Sequence, residues 1–175
     1  MTVQLIFLGL ETASVNTQAA ILSKQLGIPH ISMIHLFSQF MRDRLCSDLQ
    51  AILPSDTISP DTEKLAMLEV RLRQSDTRQG WILTDFPQCF TQAQSLHLLL
   101  EYMGYSQPQA LYLSLTKHDL LERLSADQLA WNQRLLSPVI EYYQELDCLM
   151  MVDANTTPSI INEKILDRLQ ITILA

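Results

Sequence analysis

The residues of this chain whose types and spacing suit chemistry best follow its first apolar run. That run, Val3–Leu8, ends at Gly9. Three polar side chains follow a few positions later, those of Ser14, Asn16 and Thr17. A helix that begins there would direct unpaired backbone N–H groups and the positive end of its dipole at a bound anion. Because no lysine or arginine stands in this segment, the predicted anion binding is weak.

Glycine, whose lack of a side chain lets a backbone wrap closely around a phosphate, is scarce in this chain. There are four glycines in 175 residues, roughly a third of the ~7% that is average for proteins. They are Gly9, Gly27, Gly80 and Gly104, each beside the start or end of a predicted strand or helix. The composition therefore leaves few positions for a glycine-rich phosphate loop.

Composition and charge narrow the class of protein. Apolar residues make up 47% of the chain, enough for the core of a single domain over residues 1–175. The net charge of −7, from 12 Lys and Arg against 19 Asp and Glu, argues against nucleic-acid binding. Three widely spaced cysteines without a CxxC pair predict free thiols rather than a disulfide framework or a metal site. Since the N-terminus has no basic leader or long apolar span, we expect a cytoplasmic protein without membrane insertion.

The elements that would position these residues alternate between strand and helix. Short apolar runs predict strands at residues 3–8, 29–32, 81–84, 110–115 and 149–153. Amphipathic segments predict helices at residues 17–26, 34–45, 60–73, 91–103, 117–124, 127–146 and 158–169, with Pro138 interrupting the sixth. This alternation is typical of an α/β fold with a central parallel sheet and helices on both faces. In such folds ligands bind at the carboxyl ends of the strands.

Several segments resemble the adenylate kinase family. Residues 5–19, LIFLGLETASVNTQA, resemble its phosphate loop, GxPGxGKGTQA, with matches at Gly9, Ala13 and residues 17–19. The further similar segments are residues 27–32 (GIPHIS), 80–88 (GWILTDFPQ, against GFLLDGFPR), 134–143 and 151–153. The resemblance covers nearly the whole chain. It implies a three-layer P-loop fold of the nucleoside monophosphate kinase type and the family's activity, transfer of phosphate from ATP with Mg²⁺.

The chain departs from the family pattern where the family binds phosphates. Val15 stands at the lysine position, Glu11 at the loop proline, and Thr12, Ser14 and Asn16 at three loop glycines. A phosphate loop works because its glycines let successive backbone N–H groups converge on the phosphates, while its lysine reaches the β- and γ-phosphates. These departures predict at most weak ATP or ADP binding with Mg²⁺.

Other functional positions of the family are also changed. Gln88 and Ser38 stand where the family has phosphate-binding arginines, and Thr84 stands at the metal-organising aspartate. Asp85 follows directly, but strand alternation directs its side chain to the opposite face unless the chain bulges there. The resemblance makes Gln92 a base-contacting residue, while its position alone is equally typical of an amide on a helix surface. The nucleotide-binding candidates are thus Gly9, Ser14, Asn16, Thr17, Gln18, Asp85 and Gln92.

Two further family segments are identified by resemblance alone. Residues 32–62 correspond to the helical arm that binds the monophosphate, and residues 124–133 to a much shortened lid. Arg123 and Arg134 flank that lid and are the catalytic arginines if the chain is active. So short a segment cannot form the flap that excludes water during phosphoryl transfer.

Two apolar segments leave alternatives open. Phe37, Phe40 and Met41 form a stripe on the predicted helix of the arm. The stripe either packs inward or forms a docking surface for another protein. Residues 170–175 predict a short extra strand, which pairs either within the chain or with a partner.

Two functions are compatible with these observations. The first is a catalytically impaired relative of the adenylate kinases, a pseudo-kinase that acts as a protein-interaction or nucleotide-sensing module. The alternative is an active nucleoside monophosphate kinase with an unusual loop. The missing lysine, the missing arginines and the shortened lid favour the first, because phosphoryl transfer depends on positioned positive charge and exclusion of water.

Overall fold

The computed structural model describes residues 3–10, 14–46 and 60–170. In this part of the chain the strands are β1 (Val3–Leu8), β2 (His30–Ser32), β3 (Gly80–Thr84), β4 (Gln109–Ser114) and β5 (Leu149–Asp153). The α-helices are α1 (Val15–Leu26), α2 (Met33–Cys46), α3 (Pro60–Leu72), α4 (Phe90–Tyr102), α5 (Lys117–Arg123), α6 (Ala126–Glu145) and α7 (Pro158–Leu169). A short 3-10 helix, Ser75–Gln79, leads into β3.

The strands form one parallel sheet in the order β2-β3-β1-β4-β5. Leu5 in the middle of β1 is paired with Ile82 of β3 on one side and Gln109 of β4 on the other. Along the chain, β2 and β3 are added on one side of β1, and β4 and β5 follow on its other side. The carboxyl end of β1 is therefore the switch point of the topology, where open α/β sheets bind their ligands. The predicted central parallel sheet is confirmed.

Both faces of β1 are buried, which gives the fold its three layers. Ile6 and Leu8 belong to an apolar cluster that includes residues of α3, α4 and α6. Leu5 and Phe7, which alternate with them, belong to a second cluster with residues of α1 and α7. A strand covered on both faces needs a continuous apolar sequence, which is what this segment has.

The predicted boundaries of the described elements are correct to within two residues, and those of β1, β5 and α7 are confirmed as predicted. The predicted interruption at Pro138 is wrong, because α6 continues through it to Glu145. Pro138 removes one helical N–H, but Val139 directly after it and Tyr143 one turn later are buried in the core. The burial of these two side chains stabilises α6 by more than the missing helical hydrogen bond at Pro138 destabilises it. Of residues 170–175, the structure describes Gln170 alone, so the strand predicted there lies outside the described residues.

We expect Gly80→Ala to destabilise the protein much more than Gly104→Ala. Both glycines have positive φ angles, +140° and +75°, so both substitutions strain the backbone. At Gly80 a Cβ would also lie 2.3 Å from the carbonyl oxygen of Val3, in the neighbouring strand, whereas at Gly104 no atom lies within 4 Å.

The expected loss of unfolding free energy is about 3 kcal/mol for Gly80→Ala and about 1 kcal/mol for Gly104→Ala, measured by urea denaturation. Equal losses would mean that β1 and β3 are not in the register described.

Candidate functional site

A pocket with a volume of about 380 Å³ lies at the carboxyl end of β1. Its walls are formed by Phe7–Leu10, by Val15 and Asn16 of α1, by Ile34 of α2, by Asp85–Gln88 after β3, and by Leu124, Asn132, Leu135 and Leu136. This is the position predicted from the topology. The pocket brings together three of the predicted site residues, Gly9, Asn16 and Asp85.

Gly9 lies where the backbone at the end of β1 passes close to α1 and β4. Its φ is +153°, and a Cβ on it would lie 2.9 Å from Cγ2 of Val15 and 3.2 Å from the carbonyl oxygen of Leu113. Val15 is 5% exposed and belongs to the apolar cluster below the sheet. The side chain of Val15 is thus a buried packing group.

The start of α1 is the segment in which the sequence predicts weak anion binding, which stays a prediction. Ser14 precedes the helix with φ +59°, a left-handed conformation that favours the glycine of the family pattern. Its side chain makes no capping hydrogen bond. The side chain of Ser14 therefore accepts no hydrogen bond from the first backbone N–H groups of α1. Thr17, one turn further on, is exposed.

Asp85 is the polar centre of the pocket. One carboxylate oxygen, Oδ1, accepts a hydrogen bond from Nδ2 of Asn16 at 3.2 Å. The other, Oδ2, accepts one from the hydroxyl of Ser32 at 2.6 Å and one from that of Thr84 at 3.3 Å. The carboxylate thereby joins the ends of β2 and β3 to the start of α1.

The expectation that Asp85 would point to the opposite face is wrong. β3 ends at Thr84, and Asp85 has a φ of +65°, so the alternation of a strand no longer applies to it. The left-handed turn directs its side chain toward α1. Ser32 is a site residue that the sequence reasoning missed. The available signal was its place at the carboxyl end of a strand next to β3.

The pocket is acidic and rich in acceptors. Asp85 is the one ionisable side chain among the described residues that line it. The side-chain oxygen of Asn16, Oδ1, is buried without a hydrogen-bond partner. Neutral donors thus surround the carboxylate, but no cation in the described lining compensates its charge.

Two predicted site glutamines are engaged elsewhere in the fold. Gln18 is fully buried and donates from Nε2 to the carbonyl oxygen of Pro158 at 2.9 Å, which ties α1 to α7. Gln92 is 7% exposed, so the interpretation as a surface amide is wrong. Its Oε1 accepts from the Gln88 N–H and its Nε2 donates to Asp61, both at 2.8 Å. The base-contacting role of Gln92 stays a prediction.

The two candidate arginines lie on the surface. Arg123 ends α5 and Arg134 lies in α6, and both are exposed and outside the described lining of the pocket. Residues 124–133, the predicted lid, contain the start of α6, where Ser125 and Gln128 form a capping box. Helical structure from residue 126 onward leaves a connection of two residues between α5 and α6.

The apolar stripe on α2 is neither fully buried nor fully exposed. Phe37 and Phe40 are half-buried, and Met41 is exposed. Ile34, one turn before Phe37, is also exposed and reaches the pocket. Packing inward and docking therefore both remain open for this stripe, and much of the predicted arm, at residues 47–59, lies outside the described residues.

Among the described residues, no group of three or more His, Cys, Asp or Glu side chains could hold a metal ion. Nor does that part of the chain contain a helix long and apolar enough to cross a membrane. Cys89 and Cys148 have free thiols, as predicted.

The order of the sheet and the pocket at the carboxyl end of β1 define a nucleoside-monophosphate-kinase-like α/β protein. A family model described as adenylate kinase matches residues 7–148. Adenylate kinase 1 of a Synechocystis strain is 33% identical over 165 residues, which cover 86% of this chain and 88% of that protein. Adenylate kinase 1 of a Nostoc strain is 32% identical, with 87% and 90% covered. The adenylate kinase of Mycolicibacterium paratuberculosis is 30% identical, with 86% and 90% covered. The chain belongs to the adenylate kinase family.

We expect His30 to make the protein less stable as the pH falls below neutrality. Its Nε2 lies 2.9 Å from the Thr84 hydroxyl. Burial lowers the pKa of His30 and the nearby His35 lowers it further, while the charge of Asp85 acts in the opposite direction. Because the folded-state pKa lies below the unfolded value near 6.5, the unfolded state binds more protons in between. Stability is therefore full above the unfolded pKa and is lost as pH falls toward the folded one.

The test compares His30→Gln with His118→Gln in urea unfolding between about pH 7.5 and 5.5. His118, whose side chain is 83% exposed, is the matched control. His30→Gln should flatten the decline and His118→Gln should leave it unchanged. A decline of the same slope in all three proteins would contradict the prediction.

Proposed function

We propose that this chain is a member of the adenylate kinase family with impaired phosphoryl transfer, which acts by binding as a protein-interaction or nucleotide-sensing module. The observation that carries the proposal is the charge at the carboxyl end of β1. In the place where the family pattern puts a lysine, Val15 is buried. The ionised group in the described lining is the carboxylate of Asp85, held by Asn16 and Ser32.

The physical argument is electrostatic. The transferred phosphoryl group carries negative charge on its oxygens, and catalysis of its transfer consists mainly of positioned positive charge. A buried valine supplies none, and a carboxylate in the same pocket repels the triphosphate. Loss of one preorganised donor typically lowers the rate by about 10²–10³-fold. Several such losses together leave little catalysis.

Binding of nucleotide is the part of the family's chemistry that this pocket supports best. The start of α1 offers backbone donors beside Ser14, and the exposed Thr17 hydroxyl offers an oxygen for a Mg²⁺ that accompanies a nucleotide. The negative charge of Asp85 opposes the binding of a nucleotide. We therefore propose weak binding of ATP or ADP with Mg²⁺, suited to sensing, with another protein as the main partner.

An active nucleoside monophosphate kinase is the second candidate. The likeness to proteins named adenylate kinases, over most of their length and of this chain, favours it. In that case Arg123 of α5 and Arg134 of α6, which are both exposed, would have to move toward the phosphates of the bound nucleotides. The same assay separates the two candidates.

We expect turnover below ~1 s⁻¹, the low end of kinase rates, in a coupled assay with ATP·Mg²⁺ and a panel of nucleoside monophosphates. The Synechocystis relative, purified in the same way, is the positive control. Turnover above that rate would establish the active kinase instead. Binding is measured separately, by calorimetry with ATP, ADP and AMP. If no heat of binding is detected up to millimolar concentration, the nucleotide-sensing part of the proposal is wrong.

The interaction part of the proposal has its own test. A pull-down from the source cell with the wild-type chain is compared with one that uses Ile34→Asp/Met41→Asp, two exposed positions on α2. We expect a partner that the wild-type chain retains and the variant loses, since a charge on an apolar docking surface opposes burial. Retention of no protein by the wild-type chain would remove the main support for a scaffold role.

A further inference from the structure

We propose that uptake of a proton by His30 strengthens the binding of nucleotide at the carboxyl end of β1. The coupling runs through hydrogen bonds that connect His30 to Thr84, Thr84 to Asp85 and Asp85 to the start of α1. The inference deepens the proposed function, since it names the regulation of the same site. It rests on that proposal in one respect, that ATP or ADP binds in this pocket.

The chain of hydrogen bonds begins at the half-buried imidazole of His30, the first residue of β2. Its Nε2 lies 2.9 Å from the Thr84 hydroxyl, and that hydroxyl donates to Oδ2 of Asp85 at 3.3 Å. Because a hydroxyl has a single proton, Thr84 donates to Asp85 only when Nε2 of His30 carries a hydrogen. The neutral ring therefore takes up its second proton on Nδ1. Both hydrogen bonds persist in the charged form, and the bond from Nε2 becomes charge-assisted.

Asp85 carries the effect to the pocket. Its carboxylate lines the pocket, and Oδ1 accepts from Nδ2 of Asn16, the second residue of α1. With neutral His30 the network has one negative charge, which opposes a bound phosphate. With protonated His30 the charges balance, because the groups on Asn16, Ser32 and Thr84 are neutral. Nucleotide binding is consequently stronger when His30 is charged, and a bound nucleotide in turn raises the pKa of His30.

Few other charged groups surround His30. β2 is packed against α1, α2 and β3. The ionisable residue of α1 is Lys24, which is exposed, and β3 has none. Among the described side chains of α2 the ionisable ones are His35 and Arg42, both exposed. Burial lowers the pKa of His30, Asp85 raises it and His35 lowers it. The carboxylate of Asp85 is therefore the acidic partner of the ring.

Burial also sets the pH range of the effect. Because the folded-state pKa of His30 lies below its ordinary value of about 6.5, the ring is neutral at neutral pH and becomes charged in mildly acidic solution. The coupling therefore strengthens nucleotide binding as the pH falls through the folded-state pKa and has no effect well above it.

The test measures binding of ATP·Mg²⁺ by calorimetry at about pH 7.5 and 5.5 to the wild-type chain, His30→Gln and His97→Gln. We expect the ratio of the affinity at the lower pH to that at the higher pH to be about fivefold larger for the wild-type chain than for His30→Gln. Protonation of the nucleotide itself affects all three proteins equally and cancels in this comparison. His97, which is also half-buried but lies on α4 outside the described lining of the pocket, is the matched control. His97→Gln should keep the wild-type ratio.

A second measurement needs no variant and decides if His30→Gln does not fold. The pKa of His30 is read from the NMR signals of its ring in the wild-type chain, with and without saturating ATP·Mg²⁺. We expect the nucleotide to raise the pKa of His30, since binding and protonation strengthen each other reciprocally.

Asp85→Asn tests the route of the coupling. Removal of the carboxylate should strengthen ATP·Mg²⁺ binding at neutral pH and reduce its rise toward acidic pH, because His30 loses the charge that favours its protonated form. Asp167→Asn, which removes an exposed charge on α7, should change neither. The free energy of unfolding of both variants is measured alongside.

Two results would overturn the inference alone: equal affinity ratios in the wild-type chain and His30→Gln, or a pKa of His30 that the bound nucleotide leaves unchanged or lowers. Absence of ATP·Mg²⁺ binding at both pH values would overturn nucleotide sensing and this inference together. Turnover in the kinase assay would overturn only the impaired catalysis, because the coupling is measured by binding.

Discussion

The site depends on the hydrogen bonds that the carboxylate of Asp85 accepts. Its hydrogen bonds from Asn16, Ser32 and Thr84 join the start of α1 to the ends of β2 and β3. Because Asp85 has a left-handed backbone, the carboxylate faces α1 rather than the far side of the sheet. The polar wall of the pocket is consequently negative, and the chemistry that we propose for it follows from that charge.

The fold depends on different contacts. β1 is buried on both faces, with Ile6 and Leu8 on one side and Leu5 and Phe7 on the other. Burial of apolar surface contributes about 25 cal/mol per Å² and does not depend on the polar residues of the loop that follows. Val15, at the start of α1, packs into this core next to the site.

The periodic apolar pattern predicted the strands and helices well, but it did not predict where an element departs from the regular pattern. It predicted the bounds of β1, β5 and α7 correctly, because the spacing of apolar residues reports local burial directly. It failed at Pro138, where packing of Val139 and Tyr143 carries α6 through a residue that disfavours helix. It also failed at Asp85, because alternation describes a strand and β3 had already ended.

The sequence by itself determined the α/β class, the resemblance to the adenylate kinases and the absence of a lysine from the loop after β1. These properties depend on residue types and on spacings within single elements. Only the tertiary structure decided which polar atoms meet: Asn16 and Asp85 are 69 residues apart, and Gln18 and Pro158 are 140 apart. One backbone angle at Asp85 reverses the direction of a side chain, and no local pattern encodes the partner that it then reaches. The charge of the pocket is thus a property of the folded chain, because it arises where segments distant in sequence come into contact.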